Sequence, residues 1–89
     1  MRTQDLTSEL PCHGGVRKVY IFPNRRGASV IRHSFSYGGD DGLWELGVLN
    51  GEGDLDYSTP ITDDVLGYLT EERVDEILEQ IAQLPEEDR

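Results

Sequence analysis

The chain has 89 residues, 36% of them apolar, and a formal net charge of −10. A chain of this length makes one domain with a small core, burying little more than about 60% of its unfolded surface, which argues against a deep substrate pocket. No apolar run approaches the roughly 18 residues of a membrane span, and the opening MRTQDLTSEL lacks the apolar core of a signal peptide, so no membrane association and a cytoplasmic location are expected.

Residues 1–15, ending in PCHGG, are of mixed polarity and carry Pro and Gly breakers; they read as an irregular or disordered N-terminal arm. Cys12 is the only cysteine, which excludes an internal disulfide and fits a reducing compartment. A single α+β domain is expected over 16–84. Its first strand is VRKVYIF, Val16 to Phe22, rich in β-branched and aromatic residues and followed by the turn formers PNRRG. ASVIRHSFSY, Ala28 to Tyr37, is the second strand of that hairpin, with Ile31, His33, Phe35 and Tyr37 on one face and Val30, Arg32, Ser34 and Ser36 on the other.

GGDDG is the next turn, and LWELGVL is the third strand, with Trp44, Leu46 and Val48 sharing a face. Gly47 inside that strand marks a bulge or the close approach of a packed neighbour. NGEGD then turns into LDYS, a short fourth strand ending before Pro60. Thr62 is expected to cap a short helical turn through Tyr68, with Asp63 and Asp64 in its first turn, where the helix dipole favours acids. Thr70 is expected to cap a longer helix. Val74, Ile77, Leu78 and Ile81 there follow the i, i+3, i+4, i+7 spacing of one apolar face, and Pro85 closes it. The fold class is therefore α+β, an antiparallel meander of three to four strands packed by a C-terminal amphipathic helix. Residues 85–89, PEEDR, are an acidic solvated tail.

Catalytic signatures are thin, and no catalytic, cofactor or metal site is expected. Cys12 and His13 are sequence neighbours, as are His33 and Ser34, and neighbours in extended chain point apart instead of sharing a proton. GEGDLD starts like a dinucleotide fingerprint, but Asp56 occupies its last position and it sits between strands. NGEGDLD offers oxygens at Asn50, Glu52 and Asp54 in the manner of a calcium loop, yet has Leu55 where that loop needs glycine and Ile61 where it needs a bidentate glutamate.

Charge is distributed unevenly along the chain. Residues 1–37 hold six basic residues (Arg2, Arg17, Lys18, Arg25, Arg26, Arg32) against Asp5 and Glu9, whereas residues 38–89 hold sixteen acidic residues against Arg73 and Arg89. Carboxylates arrayed on a helix and its adjoining turns can present spaced negative charge to a basic groove and speed encounter with it. The expected partner-binding residues are Glu72, Asp75, Glu76 and Glu79 on the helix, with Asp40, Asp41 and Asp63 near its base.

The segments SYGGDDGLWELGVL and YSTPITDDVLGYLTEERVDEILEQI, within Ser36 to Ile81, resemble short proteins encoded by bacteriophages and prophages. The resemblance rests on the YGxxDGLWE turn and the TPITDDVLGYLT connection. It implies a phage or prophage origin, and so a bacterial host cytoplasm, and it brings no activity with it. The function expected is that of a non-enzymatic accessory protein binding a basic protein partner through an acidic surface, in the manner of an inhibitor that mimics nucleic acid. The alternative is a nucleic-acid-binding module using Lys18, Arg25, Arg26 and Arg32 on the basic hairpin, against which the acidic remainder works by repulsion. A homodimer is a further expectation, because pairing across a twofold axis would hide the open strand edges.

Overall fold

The computed structural model describes residues 1–56, 58–61 and 65–86. Five strands, β1 (Leu6–Cys12), β2 (Gly15–Ile21), β3 (Gly27–Arg32), β4 (Trp44–Leu49) and β5 (Leu66–Leu69), form one antiparallel sheet in chain order, followed by helix α1 (Glu71–Ala82). The α+β architecture agrees with expectation, but the sheet has five strands where three to four are expected, and its ends are built differently.

One of the two unexpected strands is β1, within the segment expected to be an irregular or disordered arm. Cys12 pairs with Gly15 across the two-residue turn His13–Gly14, in which both residues have positive φ (47° and 81°). Such turns match the right-handed twist of a hairpin, so the Gly pair taken as a breaker is a strand connection. Glu9 stands opposite Lys18 in the register and pairs with its ammonium at 3.7 Å.

β3 ends at Arg32, five residues before the expected end at Tyr37. The Ser36 hydroxyl donates to the His33 carbonyl and accepts from the His33 N–H, both at 3.0 Å, and the Ser36 N–H also donates to that carbonyl. This knot closes a turn where the ladder would have continued. Within β3 Ala28 and Val30 are buried and Ile31 is half-buried, while beyond the turn Phe35 stands 79% exposed.

Of LDYS, whose Tyr57 lies outside the described residues, Leu55, Asp56 and Ser58 are not in a strand, and Leu55 makes one isolated bridge to Leu49. Leu55 instead rests a methyl group against Gly47, where an added Cβ would stand 2.6 Å from it. The packed neighbour expected at that glycine is thus Leu55. The short helical turn expected through Tyr68 is corrected as well: Leu66–Leu69 is β5, with Leu66 opposite Leu46 and Leu69 opposite Trp44. Its proposed cap Thr62, with Asp63 and Asp64, lies outside the described residues. The free edge of β4 offers ladder hydrogen bonds and a buried site for Leu69, and these outweigh the local capping signal.

The core lies on one side of the sheet. Tyr20, Phe22, Ala28, Val30, Trp44, Leu46, Val48 and Leu69 join Val74, Ile77, Leu78 and Ile81 of α1 in one buried cluster, as α1 crosses β3, β4 and β5. Thr70 caps α1 by accepting from the Arg73 N–H at 3.2 Å. At the other end of α1, the Asn24 side-chain amide donates to the carbonyls of Ile81 (2.8 Å), Leu84 (3.0 Å) and Ala82 (3.3 Å). The β2–β3 turn therefore holds the helix end, adding a side-chain donor to these carbonyls, of which that of Ile81 also accepts the Leu84 backbone N–H at 3.1 Å.

Candidate partner-binding surface

Each expected acidic residue can be located except Asp63, which lies outside the described residues. Glu72, Glu76 and Glu79 are exposed on α1 and Asp75 is half-buried. Asp40 and Asp41 are exposed in a single 3-10 turn, Gly39–Asp41, held between Gly38 and Gly42 in left-handed conformation (φ 86° and 74°). This turn leads into Trp44, which pairs with Leu69, the last residue before the Thr70 cap. The turn and the start of α1 thus stand at one end of the sheet, which brings Asp40 and Asp41 to the same end as Glu71 and Glu72.

The far half of the helix face is not free. The Arg2 guanidinium reaches Glu79 at 3.0 Å and Asp5 at 3.6 Å, while the Arg2 backbone N–H donates to Asp75 at 2.8 Å. The Gln83 side chain, and then Arg2, hold the Glu79 carboxyl below its usual range. Tyr20 completes the clamp, its buried hydroxyl donating to the Arg2 carbonyl at 2.9 Å. Burial first, and then the nearby Asp75 charge, raise that phenol's pKa, so Tyr20 keeps its proton. Two of the expected acids, Asp75 and Glu79, therefore serve to fasten the N-terminal segment. Periodicity carries no sign of this, because the pairing spans more than seventy positions.

The four residues of the nucleic-acid alternative do not gather into one surface. Arg32 stacks on the Trp44 ring at 4.5 Å and Lys18 stands 5.4 Å from it. These cation–π contacts draw both side chains over the core residue and away from open solvent. Arg26 donates to the Pro85 carbonyl at 2.9 Å and pairs with Asp56 at 3.5 Å, with side chains only 17% and 14% exposed. The Asp56 carboxyl is held below its usual range, chiefly by hydrogen bonds from Ser58 and with Arg26 assisting. Arg25 is at the β2–β3 tip, the opposite end of β3 from Arg32.

The two histidines and Asn50 are occupied locally. His13, His33 and Phe35 form an edge-to-face cluster with ring centroids 5.1 to 6.1 Å apart, and His33 Nδ1 accepts from the Phe35 N–H at 3.0 Å. The Asn50 side-chain oxygen accepts from Glu52 (2.9 Å) and Asp54 (3.1 Å), so it shapes its own turn. Among the described residues, no three His, Cys, Asp or Glu side chains come close enough to share a metal ion, and no helix is long and apolar enough to cross a membrane.

Two exposed residues lie outside the expected site residues. Tyr37 and Tyr68 are 59% and 63% exposed and adjoin the acidic end of the sheet, with the Tyr68 N–H donating to the Tyr37 carbonyl at 3.2 Å. The expected strand and helical turn had assigned them to regular elements, which concealed their juxtaposition. The chain was compared with known proteins, and no family model, curated protein or solved structure matches it.

Proposed function

We propose that the protein is a non-enzymatic accessory protein, of the phage or prophage kind, that captures a basic protein partner on an acidic face. One observation carries this reading: most of the described cationic side chains are engaged within the molecule while a group of described anions is not. Arg2, Lys18, Arg26 and Arg32 are held by carboxylates, carbonyls or Trp44, and the Arg17 guanidinium donates to Ser29. Asp40, Asp41, Glu71 and Glu72 are exposed and make no ion pair among the described residues. The outward field is thus set by the acidic excess, and such a field accelerates encounter with a positively charged surface.

The test is retention from nuclease-treated bacterial lysate at low and high salt, with the Glu72→Lys/Glu76→Lys variant beside the unaltered protein. The expected result is a basic protein retained at low salt, released at high salt and lost with the variant, whose Tm stays within a few degrees of the original. Capture that survives both charge reversals would sink the reading. Recovery of nucleic acid alone would shift the site to the arginines.

A further inference from the structure

Tyr37 and Tyr68 belong to two segments of the same pattern. Tyr37-Gly-Gly-Asp40-Asp41 and Tyr68-Leu-Thr-Glu71-Glu72 each set a tyrosine three and four residues before a pair of carboxylates. In both, the acids occupy the first turn of a helical element, the 3-10 turn in one and α1 in the other.

The fold lays the two segments against each other reciprocally. The Tyr37 side chain rests on Gly67, where an added Cβ would stand 2.5 Å from the Tyr37 Cβ. The Tyr68 ring rests on Gly38, where an added Cβ would stand 3.0 Å from its Cδ1. Each tyrosine thus lies on the glycine beside the other, and the Tyr68-to-Tyr37 backbone hydrogen bond closes the arrangement. A register shift in β5 between its pairs with Trp44 and Leu46 places an extra residue there. Bulges of this kind re-aim side chains at a sheet edge.

Burial does not explain these rings, since both are more than half exposed, as is Phe35 at 79%. An exposed aromatic pair in two packed segments that each carry two exposed carboxylates three and four residues on is complementary to a planar cation. A guanidinium can stack on a tyrosine face while donating to a carboxylate, whereas an ammonium loses the stacking geometry. We infer that the Tyr37–Tyr68 pair, with Asp40, Asp41, Glu71 and Glu72, is a docking surface for an arginine-bearing segment of a protein partner. This rests on the acidic-face reading and narrows it to one end of the sheet and one cation type.

The test is a titration at physiological salt with fluorescent oligo-arginine and oligo-lysine peptides of equal length. Variants are Tyr37→Ser/Tyr68→Asn, in which Asn tolerates the left-handed φ of 56° at residue 68, and Tyr37→Phe/Tyr68→Phe, which keeps both rings. The expected result is that the unaltered protein binds oligo-arginine at least about fivefold more tightly than oligo-lysine. The Phe pair should keep that preference and the Ser/Asn pair should lose it at unchanged Tm. Equal affinity for both peptides, or a preference indifferent to the loss of both rings, overturns the inference and leaves the acidic face to be judged by the Glu72/Glu76 capture experiment. Failure of both peptides to bind also overturns it.

Discussion

Arg25 has a φ of 66°, in a turn position where glycine is the ordinary occupant. The Arg25 N–H donates to the Phe22 carbonyl at 3.0 Å and the Phe22 N–H to the Arg26 carbonyl at 2.8 Å, so Pro23 and Asn24 form the bend and Arg25 must turn left-handed to rejoin β3. A side chain in that region costs roughly 1–2 kcal/mol. Removing it also gives the unfolded chain more freedom, which offsets part of the gain. Arg25→Gly is expected to stabilise the protein by about 0.5–1 kcal/mol in urea unfolding at unchanged slope. A destabilisation would mean that the guanidinium makes a favourable contact there. Trp44 shows what the sequence does convey at this scale. Its size and its place after a glycine-rich turn mark it as a core anchor, and it is 3% exposed. The two cations that approach its ring come from β2 and β3, and only the strand register brings them there.

At the scale of elements, α1 was legible because periodicity and capping agree. Its four apolar residues repeat at helical spacing and Thr70 precedes them, so local preference and tertiary packing select the same boundaries. β5 was misread because they disagree: acids after a threonine look like a helix start, whereas the edge of β4 recruits the next residues as a strand. β1 was hidden by a His-Gly turn outside the usual Asn-Gly pattern. The helix C-terminus depends on another element altogether, since Asn24 donates to three carbonyls there while its own oxygen accepts from Arg26 at 3.0 Å. Asn24→Ala would remove the side-chain donor from all three, leaving Ile81 with its Leu84 N–H and the Ala82 and Leu84 carbonyls to water. The expected cost is about 1–3 kcal/mol, read from urea unfolding, with amide exchange quickened first over the last turn of α1. A uniform increase along the helix would show that the hairpin does not hold its end.

For the whole molecule, a chain basic at its start and acidic thereafter folds so that much of the basic part meets the acidic part. Arg26 reaches Asp56 and Arg2 reaches Glu79, so the asymmetry of the sequence becomes in part an internal neutralisation. The candidate surface was therefore only half legible. Composition identifies the sign of the exposed field, but which acids remain open depends on contacts between residues far apart in sequence. Arg2 is the critical case, because its side chain is only 17% exposed, lies 5.6 Å from the Phe22 ring and stands among Asp5, Asp75 and Glu79. Arg2→Glu would place a fourth carboxylate in that group and remove the contact with Phe22. Like charges at such separations repel through partly shielded space, and salt weakens the repulsion. The variant should melt at a lower temperature than the unaltered protein, with the gap widest at low ionic strength and narrowed, though not closed, in 1 M salt, where the Debye length is about 3 Å. A gap that does not change with salt would assign the effect to lost packing alone. An unchanged Tm at low ionic strength would show that the N-terminal segment is not held on α1, returning Asp75 and Glu79 to the open acidic face.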